Sequence, residues 1–325
     1  NNLIDRNATK ALTSPRYRHL TAQLYKPITP LSFTGYWLCR GLSPVPILPR
    51  DCGIAIFYLH DGGYVAGHPA DSFISLLDIA EAITKRGKSI SIFSLDYTLA
   101  TKSSFPKQVE ETMGAYEHLV NDEGIDPAKI IVLGESAGGH LLLSFLTNLY
   151  LNLVEDSAAV PPPRGRKLPR PRSAVILSPW IDLCMSHPRA RELEKTDFLG
   201  KDALDMYSKL LLRTTPPNTV RFYDNFGKKM MDRGSWKDIL PEKTWISAGE
   251  REIVIEDVKA FVDGVRRDGG KIELEIMIGE THAWQTKYAF ADQGKFLATS
   301  MAANTDGLVK SFDGVVDAIL AGLDH

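Results

Sequence analysis

Ile130-Ile131-Val132-Leu133-Gly134-Glu135-Ser136-Ala137-Gly138-Gly139-His140 decides how the rest of the chain is read. A β-branched and aliphatic run stops at Gly-x-Ser-x-Gly and passes into Leu141-Leu142-Leu143, which reads as a buried helix. Strand, tight turn and helix in that order are the setting of a nucleophile elbow. The turn forces its serine into a strained backbone conformation that only small neighbours permit, here Gly134 and Gly138. The hydroxyl of Ser136 then stands clear at the carboxyl end of a sheet, with a helix N-terminus behind it. A P-loop reading of the same glycines fails, because no Gly-Lys-Ser/Thr follows.

A serine hydroxyl is a poor nucleophile until a base takes its proton and a third group holds that base. In the elbow architecture the partners follow in the order Ser, Asp or Glu, His. Three histidines lie downstream: His187, His282 and His325. His325 is terminal and His187 sits in the polar stretch Ser186-His187-Pro188-Arg189. His282 follows the strand-like run Ile272–Ile278 and the turn Gly279-Glu280-Thr281, where this design presents its base. The acid is expected after the short strand Lys243–Gly249. Glu250, Glu252, Glu256 and Asp257 compete there, and carboxylates opening a helix usually only complement its dipole. In Glu252-Ile253-Val254-Ile255-Glu256-Asp257 an acid precedes an apolar pair and two further acids, which favours Glu252, with Glu250 second.

Acyl chemistry at a serine also needs donors for the oxygen that becomes negative. The apolar run Ile54–Leu59 ends in His60-Asp61-Gly62-Gly63-Tyr64. Glycines at a strand end let amides face a ligand, so Gly62 and Gly63 are the expected donors, joined by the amide of Ala137. His60 reads as a loop anchor. Tyr64 and Trp284 abut these motifs and are candidates for the substrate pocket. Phe198, Met206, Tyr207, Met230 and Met231 are weaker candidates, since ordinary core packing explains each of them too.

The chain has 325 residues, 44% hydrophobic content and a net charge of −2. That suffices for one large α/β core and argues against a nucleic-acid partner. Cys39, Cys52 and Cys184 are odd in number and scattered, so reduced thiols are expected, with no disulfide framework and no zinc spacing. No metal or cofactor is expected. No apolar run reaches the ~18 residues of a membrane span. The chain opens at Asn1-Asn2 without methionine, which leaves room for a trimmed leader or anchor. Localisation stays open between cytoplasmic and ER-associated settings.

Strands alternate with helical stretches, the pattern of a mainly parallel sheet covered on both faces. Strands are expected at 54–59, 90–96, 130–134, 174–178, 244–247 and 272–278. Helices are expected at 72–86, 106–121, 137–152, 202–212, 256–268 and 308–322. The Pro- and Arg-rich stretch Ser157 to Arg172 reads as an exposed, mobile loop. Residues 1–50, rich in proline, and residues 182–240, too long for a loop, are expected to form a helical cap on a single domain.

These motifs together resemble the hormone-sensitive-lipase-like branch of the α/β-hydrolases, carboxylesterases and acetyl-ester hydrolases with a His-Gly-Gly-Gly motif. The resemblance runs from Tyr58 to Trp284 through Tyr58–Tyr64, Leu95-Asp96-Tyr97-Thr98-Leu99-Ala100 with Phe105-Pro106, Gly134–Gly139, Leu177–Leu183, Glu252–Asp257 and His282-Ala283-Trp284. The flavour is similar to fungal sterol-acetate hydrolases. It implies an α/β-hydrolase fold and a serine esterase acting on a small ester, such as an acetate of a lipophilic alcohol, or on a lactone. A homodimer is compatible with it. The chain departs from the family at Asp61, which replaces the first glycine of the oxyanion motif, and at Thr101-Lys102, where Pro-Glu is usual. Glu252 stands where Asp is common. The carboxyl of Asp61 is expected to point away from the site. A cyclase, lyase or acyltransferase using the same serine is the alternative, and a non-catalytic binding member is disfavoured by His282.

Overall fold

The apolar runs that flank the elbow lie side by side in one sheet of eight strands. The computed structural model describes residues 6–154, 167–303 and 312–323. The strands are β1 (Leu24–Ile28), β2 (Gly35–Arg40), β3 (Ile54–Leu59), β4 (Ile90–Leu95), β5 (Ile130–Glu135), β6 (Ser173–Leu177), β7 (Lys243–Gly249) and β8 (Glu273–Met277). Their order is β1-β2-β4-β3-β5-β6-β7-β8. Strands β1 and β2 pair antiparallel with each other and β2 with β4; all other pairings are parallel.

Strands buried on both faces need apolar residues at every position, and β3, β4, β5 and β6 are buried throughout. Alternate side chains feed two separate cores. Ala55, Phe57, Leu59, Val132 and Ile176 enter one, while Ile54, Ile56, Tyr58, Leu133 and Val175 enter the other. The second core is closed by α1 (Arg6–Thr13), α2 (Phe73–Lys85) and residues of α10 (Trp284–Ala298) and α11 (Asp313–Ala321). The first is closed by α3 (Lys107–Glu117), α4 (Ala137–Leu153) and α9 (Ile255–Arg267), and by residues from α5 (Ala190–Leu193), α6 (Lys201–Leu212), α7 (Pro217–Tyr223) and α8 (Trp236–Ile239). Helix α4 has 14 buried residues among its 17, so it is an interior helix whose leucines each contribute roughly 1.5–3 kcal/mol by burial.

The chain crosses from β3 to β4 on one side and from β5 to β6 on the other. Adjacent strands β3 and β5 therefore diverge, and their carboxyl ends open the crevice where α/β sheets bind ligands. The Gly62-Gly63 loop follows β3 and Ser136 follows β5.

Three expectations change. Residues 1–50 are not simply cap: β1 and β2 extend the sheet, and α1 packs on α2. Proline at position 27 is tolerated because β1 is an edge strand with a solvent side that needs no amide. A 15-residue helix, α10, follows the loop that carries His282, where none was expected. Within the Pro- and Arg-rich stretch, positions 157–166 lie outside the described residues, but Arg170 and Arg172 are fixed rather than mobile. Arg170 donates to the carbonyls of Asp238 and Leu240 at 2.8 and 2.9 Å, and Arg172 to that of Gly322 at 2.9 Å. The expected 308–322 helix begins at Asp313, with 308–311 outside the described residues, as is His325.

Candidate active site

Ser136 adopts φ 54°, ψ −114°, a left-handed conformation that costs a non-glycine residue of order 1–3 kcal/mol. Neighbouring backbone holds it there: its amide donates to Leu177 O at 2.9 Å, and its carbonyl accepts from His140 N and Trp180 N at 3.1 Å each. The turn closes only without side chains. A Cβ at Gly138 would lie 2.0 Å from the carbonyl oxygen of Leu59, so the elbow rests directly on the end of β3.

His282 arrives on the loop after β8 and Glu252 on the loop after β7. Between His282 Nε2 and Ser136 Oγ the distance is 2.8 Å, and His282 Nδ1 lies 3.3 Å from Glu252 Oε2. Glu252 is fully buried, and its other oxygen accepts from Ser178 Oγ at 2.6 Å and from the Gly249 amide. Ser178, at φ 44°, accepts in turn from Ala283 N at 3.2 Å. The rival acids are placed elsewhere. Glu250 is exposed and caps Gly279 N at 3.0 Å; Glu256 pairs with Arg189 at 2.7 Å; Asp257 is buried beside Asp182, which with burial lifts its carboxyl to about 7.

Burial alone would depress the imidazole of His282. The hydrogen bond and charge of Glu252, with the charges of Asp197 and Glu135, outweigh it and hold the group above its ordinary 6.5. Glu135, inside the elbow, is itself pushed up to about 8, first by burial and then by the charge of Asp61. Its two carboxyl oxygens both lie 2.9 Å from Thr286 Oγ1.

Gly62 and Gly63 have φ of 107° and 61°, which turn their amides out of the strand register. Among the described residues the amides of Gly62, Gly63 and Ala137 donate to no carbonyl or side chain. Three free donors beside a serine suit a developing oxyanion. His60 anchors the loop: Nδ1 donates to Asp61 O at 2.7 Å, the ring stacks on Tyr97 at 4.0 Å, and burial keeps it neutral by lowering it to about 4. Asp61 is half-buried. Burial and Asp71 raise its carboxyl while the His282 imidazole lowers it, so this group interacts electrostatically with the site.

The pocket candidates divide. Tyr207 packs against the oxyanion loop, where a Cβ on Gly63 would come 2.7 Å from its ring. Phe198 is 67% exposed and sits edge-on to the His282 ring at 5.9 Å. Tyr64 is fully buried, and its hydroxyl meets His140 Nδ1 at 2.7 Å, while His140 Nε2 donates to Tyr223 O at 2.8 Å. Trp284 is buried with its ring edge-on to Tyr288 at 6.4 Å, an anchoring position. Met206 and Met231 are exposed rather than core, and Met230 and Met231 border a separate cavity of about 530 Å³ with Arg233 and Trp236. Sequence reasoning missed Ser178, Asp197 and Thr286. Only Ser178 carried a signal, its place in Leu177-Ser178-Pro179-Trp180.

Cys39 and Cys52 are buried free thiols and Cys184 an exposed one. Among the described residues no His, Cys, Asp and Glu cluster could hold a metal, and no helix is long and apolar enough to cross a membrane.

A mainly parallel sheet with a strained serine at its switch point, hydrogen-bonded to a histidine on a later loop, defines an α/β-hydrolase with a serine hydrolase site. A model of the alpha/beta hydrolase fold matches residues 56–286. An esterase of Acinetobacter venetianus is 25% identical over 259 residues, 76% of this chain and 75% of that one. A putative steryl acetyl hydrolase of Schizosaccharomyces pombe is 31% identical over 243 residues, 70% of this chain and 60% of its own. An esterase structure from the bacterial hormone-sensitive lipase family superimposes with a TM-score of 0.62 at 25% identity, covering 86% of this chain and 84% of that one. The chain belongs to the α/β-hydrolase family, in its hormone-sensitive-lipase-like branch, and is a serine carboxylesterase acting on a small-molecule ester.

Proposed function

We propose that Ser136 is the nucleophile, His282 the general base and Glu252 the orienting acid, and that the enzyme releases a short acyl group, such as acetate, from a lipophilic alcohol or opens a lactone. One observation carries the assignment: the unbroken line from Ser136 Oγ through the His282 ring to a fully buried Glu252. Nε2 takes the hydroxyl proton as Oγ bonds to the ester carbon, and the amides of Gly62, Gly63 and Ala137 hold the carbonyl oxygen as it becomes negative. The imidazolium, held by Glu252, then gives its proton to the departing alkoxide. Water enters on the same side, loses a proton to His282 and releases the acid.

The size preference follows from what borders each half of the substrate. Tyr207 closes over Gly63, which crowds the oxyanion side and favours a short acyl chain. The alcohol leaves beside His282, where the exposed ring of Phe198 offers apolar contact. The names of relatives that act on acetyl esters and steryl acetates support the same choice. Residues 182–240, which supply both rings, serve as the cap. All groups come from one chain, so no second copy is required.

Hydrolysis of p-nitrophenyl acetate, butyrate and octanoate, and of a steryl acetate, tests the reading, alongside fluorophosphonate labelling of wild type and Ser136→Ala. Acetate is expected to be turned over best, and labelling to vanish in the variant. Labelling that survives Ser136→Ala, or preference for octanoate, would overturn the nucleophile or the acyl assignment respectively.

A further inference from the structure

The loops that present Glu252 and His282 touch a third partner that belongs to neither. Asp197 lies in the inserted segment between α5 and α6. One of its carboxylate oxygens accepts from the amide of Ile253 at 2.8 Å, and the other from the amide of His282 at 3.3 Å and of Phe198 at 2.8 Å. Next to it, Thr196 Oγ1 donates to the carbonyl of Arg251 at 3.2 Å. A single half-buried carboxylate thus ties the residue after the acid, the base itself and the aromatic wall of the pocket into one knot.

We infer that Asp197 is a positioning residue for the ester hydrolysis: it fixes the spacing of the acid and base loops, adds negative charge behind the imidazolium, and makes that geometry depend on the inserted segment being docked. This rests on the assignment of His282 as the base. The main chain at both amides lies in irregular loops, which have no ladder to hold them. Removing the acceptor would leave three amides without that partner, those of Ile253, His282 and Phe198, and free the loops to shift. A shift of about 1 Å at reacting groups can cost on the order of a hundredfold in rate. The charge acts separately from the bonds. Four carboxyl groups face the imidazole from four elements: Glu252 after β7, Asp197 in the insert, Glu135 at the end of β5 and Asp61 after β3. Of the first three, Asp197 is the one whose removal leaves both Glu252 and the elbow untouched.

The two contributions separate in two substitutions. Asp197→Asn keeps one acceptor but loses the charge, so the acid limb of kcat/KM is expected to move to lower pH by roughly half a unit. Asp197→Glu keeps the charge but displaces the oxygens, so kcat for p-nitrophenyl acetate is expected to fall about tenfold with the acid limb in place and KM within about twofold. A fastener that only stabilises the fold would lower the unfolding temperature and leave both the limb and kcat where they were; that result overturns the inference. Hydrogen exchange on the unaltered enzyme needs no variant to fold. The Ile253 and His282 amides are expected to be protected, and exchange as fast as that of an unbonded, solvent-exposed amide would also overturn it. Failure of the triad itself shows up differently, as activity retained in Ser136→Ala.

Discussion

Two buried ionic assemblies lie in different parts of the molecule, and in the proposed mechanism only one of them does chemistry. Below α2, Arg16 grips Glu81 with two hydrogen bonds, Nε to Oε1 at 2.6 Å and Nη2 to Oε2 at 2.5 Å; Tyr17 Oη donates to Glu81 at 2.6 Å, and Arg16 Nη1 reaches Thr299 Oγ1 at 2.7 Å. At the carboxyl rim, Glu252 holds His282 by one 3.3 Å contact. The first assembly matches a permanently charged planar fork to a carboxylate and leaves no proton to move. The second matches a carboxylate to a ring that, as the proposed base, gains and loses charge in every cycle. Buried charge therefore fastens where its partner is fixed, and catalyses where its partner titrates.

The comparison breaks most sharply at the rim. Ser136→Ala and His282→Ala are expected to lower kcat by roughly five to six decades while leaving the unfolding temperature near that of wild type. Loss of folding together with activity would mean that the rim, too, is a fastener. Glu252→Gln keeps volume and removes charge, and kcat is expected to fall by about three to four decades. Glu250→Gln should stay within about twofold, because that side chain only caps an exposed turn. Equal losses at both positions would void the choice between them.

The opposite outcome is expected at Arg16 and Glu81. Breaking a buried pair by removing one partner costs about 3–5 kcal/mol, because the other charge is left without compensation. Arg16→Met and Glu81→Gln should each lower unfolding free energy by about that amount in denaturant titrations, yet leave kcat/KM of the folded enzyme within about threefold. A large loss of kcat in these variants would show that α1 and the sheet edge feed the site.

How far each assembly can be read from sequence follows the same division. The elbow, the oxyanion glycines and the order Ser, Glu, His are local patterns, and β3 to β6 announce themselves as apolar runs because both sheet faces are covered. The Arg16–Glu81 pair spans 65 positions and leaves no local trace. Strand β1 was hidden by Pro27 and mixed polarity, which an edge strand tolerates and a central one does not. Helix α10 has only five buried residues among its fifteen, among them Gln285, too few to mark an apolar face. Ser178 and Asp197 matter only because the chain folds back on them, Ser178 from 74 positions away and Asp197 from 56 and 85.

Protonation sharpens the contrast further. Because His282 must be neutral to accept the serine proton, and is held above 6.5, activity of the wild type should climb with pH through a midpoint above that value. In Glu252→Gln, burial opposes the imidazolium with less to counter it, so the residual activity should show its midpoint at lower pH. A midpoint that does not move would separate Glu252 from the titration of the base.

Asp61 tests the rule at its weakest point, since this carboxyl has neither a fixed cation nor a close contact to the ring. In the transition state a negative oxyanion forms near it and a positive imidazolium forms at the same moment. Its charge opposes one and favours the other, so the two effects largely cancel. Asp61→Asn and Asp61→Gly should therefore change kcat by less than about fivefold, with the acid limb falling by a few tenths of a pH unit as one negative neighbour of His282 is lost. A drop of more than tenfold in Asp61→Asn would mean that this carboxyl binds substrate or moves a proton. The oxyanion loop would then hold a third acid in use, and a titrating partner would no longer be what separates working charge from fastening charge.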